Sequence, residues 1–564
     1  SYGPAGLATP SFRGTGSSHT TVLWNGIDLV SPMSGQLDLS LVPTAFFEDV
    51  SLQTGGSTSV SGNGSIGGNI HINNNQKFNE GLTARVASHL GSFGNYYNDV
   101  GLSFSGVKLA SSTKVFWNKG ENAFRFTNRN LYPARTETRE HSAFDQKGIL
   151  QQITLRSLKQ GLFSIRFWYQ KSLFEIPNAT TIVRRSQATE ENSFYRVLGG
   201  WNYNKANLEL SSQIAFIRHD LNYADPVRDE RSLSSYNSIV YNTECNIFLP
   251  GENQLTSGVR YTWEQGKTVE FGSDSPVRNR VAIYSAFKTT PTDKLQLALC
   301  LREELVNGKT TPLTPTLSMR FLATHQISAF FNLSRNYRLP TFNDLYWKGA
   351  GAQGNSELKP EHSLGGETGI DITKPSATFK LVLFSNYVDN WIQWNPKGAQ
   401  SWEPQNIKKV WARGIESQLS INKKWDSLGA RLICQYSLTM STNESIYENG
   451  NPVEEGKQLI LTPRHEASVT GEVNWRKYSL RIVGSFTGKQ FNDSDNSPYN
   501  IQPSYFVTNV WFGRVIKISR SELSIIAEVN NLFDVAYQGR PGYPFPGINF
   551  KGGVRMNFNK PNKI

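Results

Sequence analysis

Among residues able to do chemistry, two glycine patterns come first: Gly62, Gly64 and Gly67, then Gly349, Gly351 and Gly354, both spaced G-x-G-x-x-G. That spacing holds a dinucleotide only when it follows a strand and opens a helix, whose first N–H groups bind the pyrophosphate. The first pattern instead runs into a strand-like stretch, Asn69–Ile72, and the second lies in a long polar connection. No nucleotide site is expected. Asp493 and Asp495 offer hard oxygens of the kind Ca²⁺ takes, but Asp and Asn in Asn492–Asn496 equally favour a turn, the stronger reading. The eight histidines show no ligand spacing, and Cys245, Cys300 and Cys434 are odd in number and far apart. They read as small strand residues. No nucleophile elbow stands out, nor a His–carboxylate pair near a serine, so no catalytic residue, metal or cofactor is assigned; a barrel enzyme would need scattered partners. Aromatics in the connections are more suggestive. Tyr346 and Trp347 share one long loop, and Trp391, Trp394 and Trp402 lie in or beside the next. They suit a pocket for a bulky ligand; Trp391 and Trp394 equally suit an interfacial girdle.

The elements that must position these residues are strands. The 564 residues contain no uncharged apolar run of about 18 or more, which excludes helical membrane spans. A barrel strand shows lipid only every second side chain, so a soluble all-β protein and a transmembrane barrel both remain. Aromatic residues, 13 Trp, 22 Tyr and 32 Phe, suit interfacial girdles. The net charge, 58 − 46 = +12, is scattered over strands and loops. It forms no stripe or basic helix, so nucleic acid is not indicated, and an anionic lipopolysaccharide surface accounts for it as well.

From Leu82 onward, segments of about ten residues alternate in polarity. Ile548, Phe550, Val554, Met556 and Phe558 share a face opposite Asn549, Lys551, Arg555 and Asn557. Leu295, Leu297, Leu299 and Leu301 oppose Gln296, Ala298, Cys300 and Arg302; Phe163, Ile165 and Phe167 oppose Ser164 and Arg166. A sandwich alternates too, and connection lengths decide against it. Short turns such as Lys205–Ala206, Lys374–Ser376 and Arg476–Lys477 take turns with long polar stretches. The long ones include Glu121–Gln146, Arg218–Ser232, Asn336–His362, Asp389–Ile407 and Phe533–Gly547. Outer-membrane barrels have this asymmetry. The fold expected is all-β, a transmembrane antiparallel barrel of about 22 strands, closed because hydrocarbon tolerates no open edge.

The first 75 or so residues differ. Thr20–Trp24 and Ile27–Leu29 flank Asn25-Gly26, a two-residue hairpin signal, with further short strands at Val50–Gln53 and Asn69–Ile72. Such a unit is too short to bury much core alone and needs a surrounding wall. The division expected is 1–78 for this unit and 79–564 for the barrel. No basic and apolar leader precedes Ser1-Tyr-Gly-Pro, so the leader is read as removed or the start as missing.

In order and spacing, several stretches resemble the TonB-dependent outer-membrane receptors. They are Ser11-Phe-Arg-Gly-Thr-Gly16, Val22–Leu29, Pro43–Gly56 and Gly64–Ile72, then Asn336-Tyr-Arg-Leu-Pro-Thr-Phe-Asn-Asp-Leu-Tyr-Trp347 and Asn355–Glu361. Ala412–Glu416, Val529–Asp534 and Pro541–Gly547 follow. The Arg338–Trp347 stretch is most similar to the cobalamin-receptor branch. The resemblance implies an N-terminal plug inside a bacterial outer-membrane barrel and ligand binding at the outer face. It implies energy from the TonB complex and no covalent chemistry. It gives Arg13 and Glu48 as plug charges facing Glu367 and Glu416 of the barrel, and Ser31, Met33 and Gln36 at the plug apex as ligand contacts beside the loop aromatics. Partners implied are a small ligand (a corrinoid first, a ferric siderophore as the alternative), lipid or lipopolysaccharide, and a surface lipoprotein lid. A passive porin is the rival from another class. Departures are the absent leading half of the plug with its coupling box, Ser51 and Thr54 in place of a glutamate and an arginine, and six residues beyond Phe558.

Overall fold

The computed structural model describes residues 3, 6–128, 131–157, 159, 161–182, 186–349, 351–397, 401–445, 447–448, 451–452 and 455–560. Among them, 22 long antiparallel strands and three two-residue pieces close into a barrel. Closure is made by Gly81–Gly91 against Asn549–Lys560, in a register running from Leu82↔Lys560 to Gly91↔Lys551. Every wall strand thus has two neighbours, which removes the unpaired edge that hydrocarbon would penalise.

The alternation read from sequence sets the faces. Along Leu295–Val306, Leu299, Leu301 and Leu305 point outward, with Leu299 45% exposed. Cys300, Arg302 and Glu304 point inward and are buried. Phe163, Ile165 and Phe167 face out in the same way, as do Phe550, Val554 and Met556. Connections at one rim are short, for example 206–207, 375–376, 426–427 and 476–477. At the other rim, 121–143, 339–360 and 531–548 are long.

Two stretches expected as loops are hairpins. Strands Leu208–Asp225 and Glu230–Leu249 pair as far as Asp225↔Glu230, and Ala377–Lys397 pairs with Ser401–Trp425 as far as Lys397↔Ser401. In the first, polar residues stand on both faces; in the second, register shifts around Trp391 break the period of two that marks a strand in sequence.

The N-terminal unit is a four-stranded sheet in the order β2-β1-β4-β3, where β1 is Thr20–Trp24, β2 Ile27–Asp28, β3 Asp49–Thr54 and β4 Gly68–Asn73. The Asn25-Gly26 turn has φ of 47° and 87°, the left-handed pair that a type I′ hairpin requires. The first glycine pattern follows a short helix, α1 (Thr58–Ser61), and leads into β4. Gly67 is there for close packing, since a Cβ would lie 2.2 Å from the Thr15 hydroxyl.

The unit completes its core with the barrel wall. Val22, Trp24, Ile27, Leu29, Phe46 and Ile72 share one buried cluster with Phe116, Leu150, Trp168, Leu198 and Ile217 of the wall. Trp24 meets Trp168 edge-on at 5.4 Å. Each fully buried side chain of this size contributes about 1.5–3 kcal/mol, so neither part would keep its apolar face dry without the other. Around the cluster, wall side chains donate to backbone carbonyls of the unit. Gln146 reaches Ser40 O at 2.9 Å, Gln170 reaches Leu41 O at 2.9 Å and Arg260 reaches Ser61 O at 3.2 Å.

Candidate functional site

Two polar clasps and one cavity join the N-terminal unit to the barrel. The first clasp centres on Arg13. Its Nε and one terminal nitrogen donate to Glu416 at 2.9 and 2.8 Å, and the other terminal nitrogen reaches Glu367 at 2.7 Å. The guanidinium also lies 4.6 Å above the Phe384 ring and donates to Thr54 Oγ1 at 3.2 Å. Burial works against its charge, but hydrogen bonds and attraction from Glu416 and Glu367 outweigh that and raise the Arg13 pKa.

Glu48 does not join this cluster. It pairs with Lys114 on the strand Leu109–Gly120. In the six-residue strand β3, Glu48 precedes one end and Thr54 forms the other, so Thr54 is the residue within reach of Arg13.

The second clasp is drier, and sequence reasoning missed its roles. His19 Nε2 lies 2.5 Å from Glu361 Oε2, and Arg338 donates to Glu361 Oε1 at 2.6 Å. The Ile392 N–H donates to Glu361 Oε1 at 2.7 Å. Trp391 covers His19 edge-on at 4.3 Å. Arg338 and Glu361 both fell inside the motif stretches, but 23 residues apart, with nothing in the sequence to join them.

The remaining motif residues build a platform above. Thr341 and Asp344 cap the helix α2 (Phe342–Tyr346) reciprocally, each accepting the other's backbone N–H at 3.0 Å. The tip of the N-terminal unit hangs from its start: Phe342 N–H donates to Pro32 O at 2.9 Å and Asn343 N–H to Met33 O at 3.1 Å.

Beside this contact lies a cavity of about 790 Å³ at the rim carrying the long connections. Its floor is Ser31, Met33, Gln36, Leu37 and Asp38 of the N-terminal unit; its walls include Phe194, His219, Tyr223 and Tyr236, with Trp347 at one side. His219 stacks on Phe194 at 4.2 Å and is held by Asn192 Oδ1 at 2.8 Å.

Of the expected ligand residues, Ser31, Met33, Gln36 and Trp347 line this cavity. The others do not. Tyr346 packs against Phe271 and Phe342. Trp391 lies on a strand rather than a loop and packs on the His19 clasp, away from any lipid girdle. Trp394 donates to Asp344 at 2.9 Å. Trp402, 51% exposed, holds the paired stretches Lys348–Gly349 and Ala352–Gln353 through its backbone, donating to Gly351 O at 2.8 Å. Trp391, Trp394 and Trp402 all belong to the paired strands that the sequence reads as a loop. Phe194 and Tyr236 carried no sequence signal beyond inward alternation, and His219 and Tyr223 fell in the Arg218–Ser232 stretch read as a loop. Asp495 accepts from Ser497 N–H at 2.9 Å and Asp493 from Asn500 at 2.7 Å, which is turn geometry.

A chain with this wall and this N-terminal sheet matches the family described as TonB dependent receptor-like, beta-barrel, over residues 35–532. It belongs to the TonB-dependent receptors. Like the rest of that family it is an outer-membrane protein, and the family is one of transporters and receptors rather than enzymes. Among relatives, the vitamin B12 transporter BtuB of Vibrio vulnificus is 24% identical over 576 residues, 99% of this chain and 87% of that protein. The vitamin B12 transporter BtuB of Photobacterium profundum is 23% identical over 96% of this chain and 85% of that one. Among solved TonB-dependent folds, the siderophore receptor PirA of Acinetobacter baumannii superposes with a TM-score of 0.80 at 16% identity, covering 97% and 92% of the two chains. The FrpB iron transporter of Neisseria meningitidis does so at 0.80 and 15%, covering 98% and 95%. Both share the receptor architecture.

Proposed function

We propose that this receptor imports a corrinoid of the cobalamin type, with residues 1–78 acting as a plug that the TonB complex draws aside. The observation that carries this reading is the composition of the cavity: its floor belongs to the N-terminal unit and its walls to the barrel. A ligand seated there touches both parts at once, so occupancy changes how the unit is held, and removing the unit destroys the site. The aromatic and apolar lining suits a bulky, amide-rich ring system, and the names of the two relatives support the choice of ligand. The Arg13 and Glu361 clasps keep the unit seated between transport events; water at the edge of the Arg13 clasp can replace its contacts when the unit is pulled, whereas the Glu361 clasp is dry.

The direct test is binding of cyanocobalamin to the detergent-solubilised chain by calorimetry. Saturable binding is expected, weakened about tenfold or more by Trp347→Ala or Gln36→Ala. Tight binding of a ferric siderophore with no corrinoid binding would replace the ligand assignment. Large steady conductance in planar bilayers would replace the importer with an open porin.

A further inference from the structure

We infer that the outer cavity selects ligands without net negative charge and favours cationic ones. This rests on the proposed import site only for its location. Elsewhere in the lumen, four acids are matched by guanidinium groups: Glu264 by Arg278 at 2.7 Å, Glu304 by Arg302 at 3.0 Å, Glu361 by Arg338 at 2.6 Å and Glu416 by Arg13 at 2.8 Å. The cavity differs. Asp38, Glu190, Asp229, Glu230 and Glu270 line it against a single guanidinium, Arg231. Among the described residues, none of the five carboxylates sits in an ion pair.

The inner carboxylates are held by neutral donors instead. Asp38 accepts from Ala8 N–H and Ser40 N–H at 2.9 Å and from the Ser40 hydroxyl at 2.7 Å. Glu190 accepts from Asn192 at 2.8 Å, and Glu270 accepts from the Thr268 hydroxyl. Hydrogen bonds from neutral groups fix these acids without cancelling their field. A buried guanidinium, Arg196, lies 4.2 Å from the Phe194 ring and acts electrostatically on His219 and Tyr236 from outside the cavity lining.

A ligand entering this space exchanges water for a concave surface of like-signed charge, where potentials are focused rather than screened. A polyanionic ferric triscatecholate is therefore repelled. A neutral corrinoid is accepted, and one bearing an added ammonium is preferred. Matched ligands differing by one unit of charge should separate by roughly tenfold in affinity at low salt, and the gap should shrink as salt screens the field.

The experiment uses the whole chain in detergent and three corrinoids: cyanocobalamin and derivatives carrying an aminoalkyl or a carboxyalkyl group at the same ribose position. Calorimetry at low and high salt should rank aminoalkyl above neutral above carboxyalkyl. Replacing Glu190→Gln, Asp229→Asn and Glu230→Gln together should flatten the ranking. Equal affinity for the two charged derivatives at low salt overturns the charge rule while leaving corrinoid import intact. If no corrinoid binds, the import reading fails, and two siderophore complexes decide the charge rule. A cationic ferric trihydroxamate bound more tightly than a ferric triscatecholate upholds it, and the reverse order overturns it. Binding of none of these ligands overturns both.

Discussion

The two clasps do the same job in different media. His19, Glu361 and Arg338 are 1%, 0% and 6% exposed, whereas Arg13, Glu367 and Glu416 are 7%, 14% and 28% exposed. A charge pair in a dry site is expensive to half-break, because the stranded partner has no water to turn to. A pair with solvent at its edge loses less, since water replaces the missing group. The dry clasp should therefore fix where the N-terminal unit sits, and the wetter one should be the point at which it lets go.

Glu361→Ala tests this most severely. It strands Arg338 and His19 and should cost about 3–5 kcal/mol, read as a fall in the urea concentration at which residues 6–78 become open to protease. Arg13→Ala, measured in the same way, should cost only about 1–2 kcal/mol, because Glu416 is already partly hydrated. A larger loss from Arg13 than from Glu361 would invert the comparison. The wall makes the same distinction between media. Leu299→Arg puts a charge on the lipid face and should destabilise refolding into vesicles by about 2–4 kcal/mol, while Ala298→Arg on the lumenal face should be milder. Equal losses would mean the faces are assigned wrongly.

How much of this was legible in the sequence follows the same boundary between dry and wet. Leu299 against Cys300 and Arg302 was readable because lipid on one side and lumen on the other impose a period of two. The Asn25-Gly26 hairpin was readable because its turn demands positive φ. Arg13, Glu367 and Glu416 came through resemblance, and they lie 2.7 and 2.8 Å apart as ion pairs. Trp391 and Trp394 were misplaced because register shifts around Trp391, with Asn390 at φ 56°, break the period of two that marks a strand. Glu361 and His19 lie 342 residues apart, and nothing local in either stretch announces the other. The cavity is of that same long-range kind: its floor and walls meet only once the barrel closes.

The smallest expected effect comes from a group between the clasps and the cavity. Asp28, in β2, accepts from Val30 N–H at 2.9 Å. Loss of water pushes its pKa up to about 7 from 3.8, against the pull of the Val30 hydrogen bond and of Arg280 and Arg260, with Glu264 adding to the rise. Between about pH 4 and 7 the seated unit therefore holds a proton that the released chain has lost. Seating should strengthen as pH falls through that window and weaken as pH rises to 7, levelling off above it. A rise of that size spans about 4 kcal/mol in a fully dry site, but Asp28 keeps some contact with water, and solvent screening should cut the span to about 1 kcal/mol. Asp28→Asn removes this titration, and the difference between wild type and variant, read as protease opening of residues 6–78 from pH 5 to 8, isolates it from other titrating groups. A difference that grew toward low pH in favour of the asparagine variant would reverse the sign and place the charged form of Asp28 in the seated state.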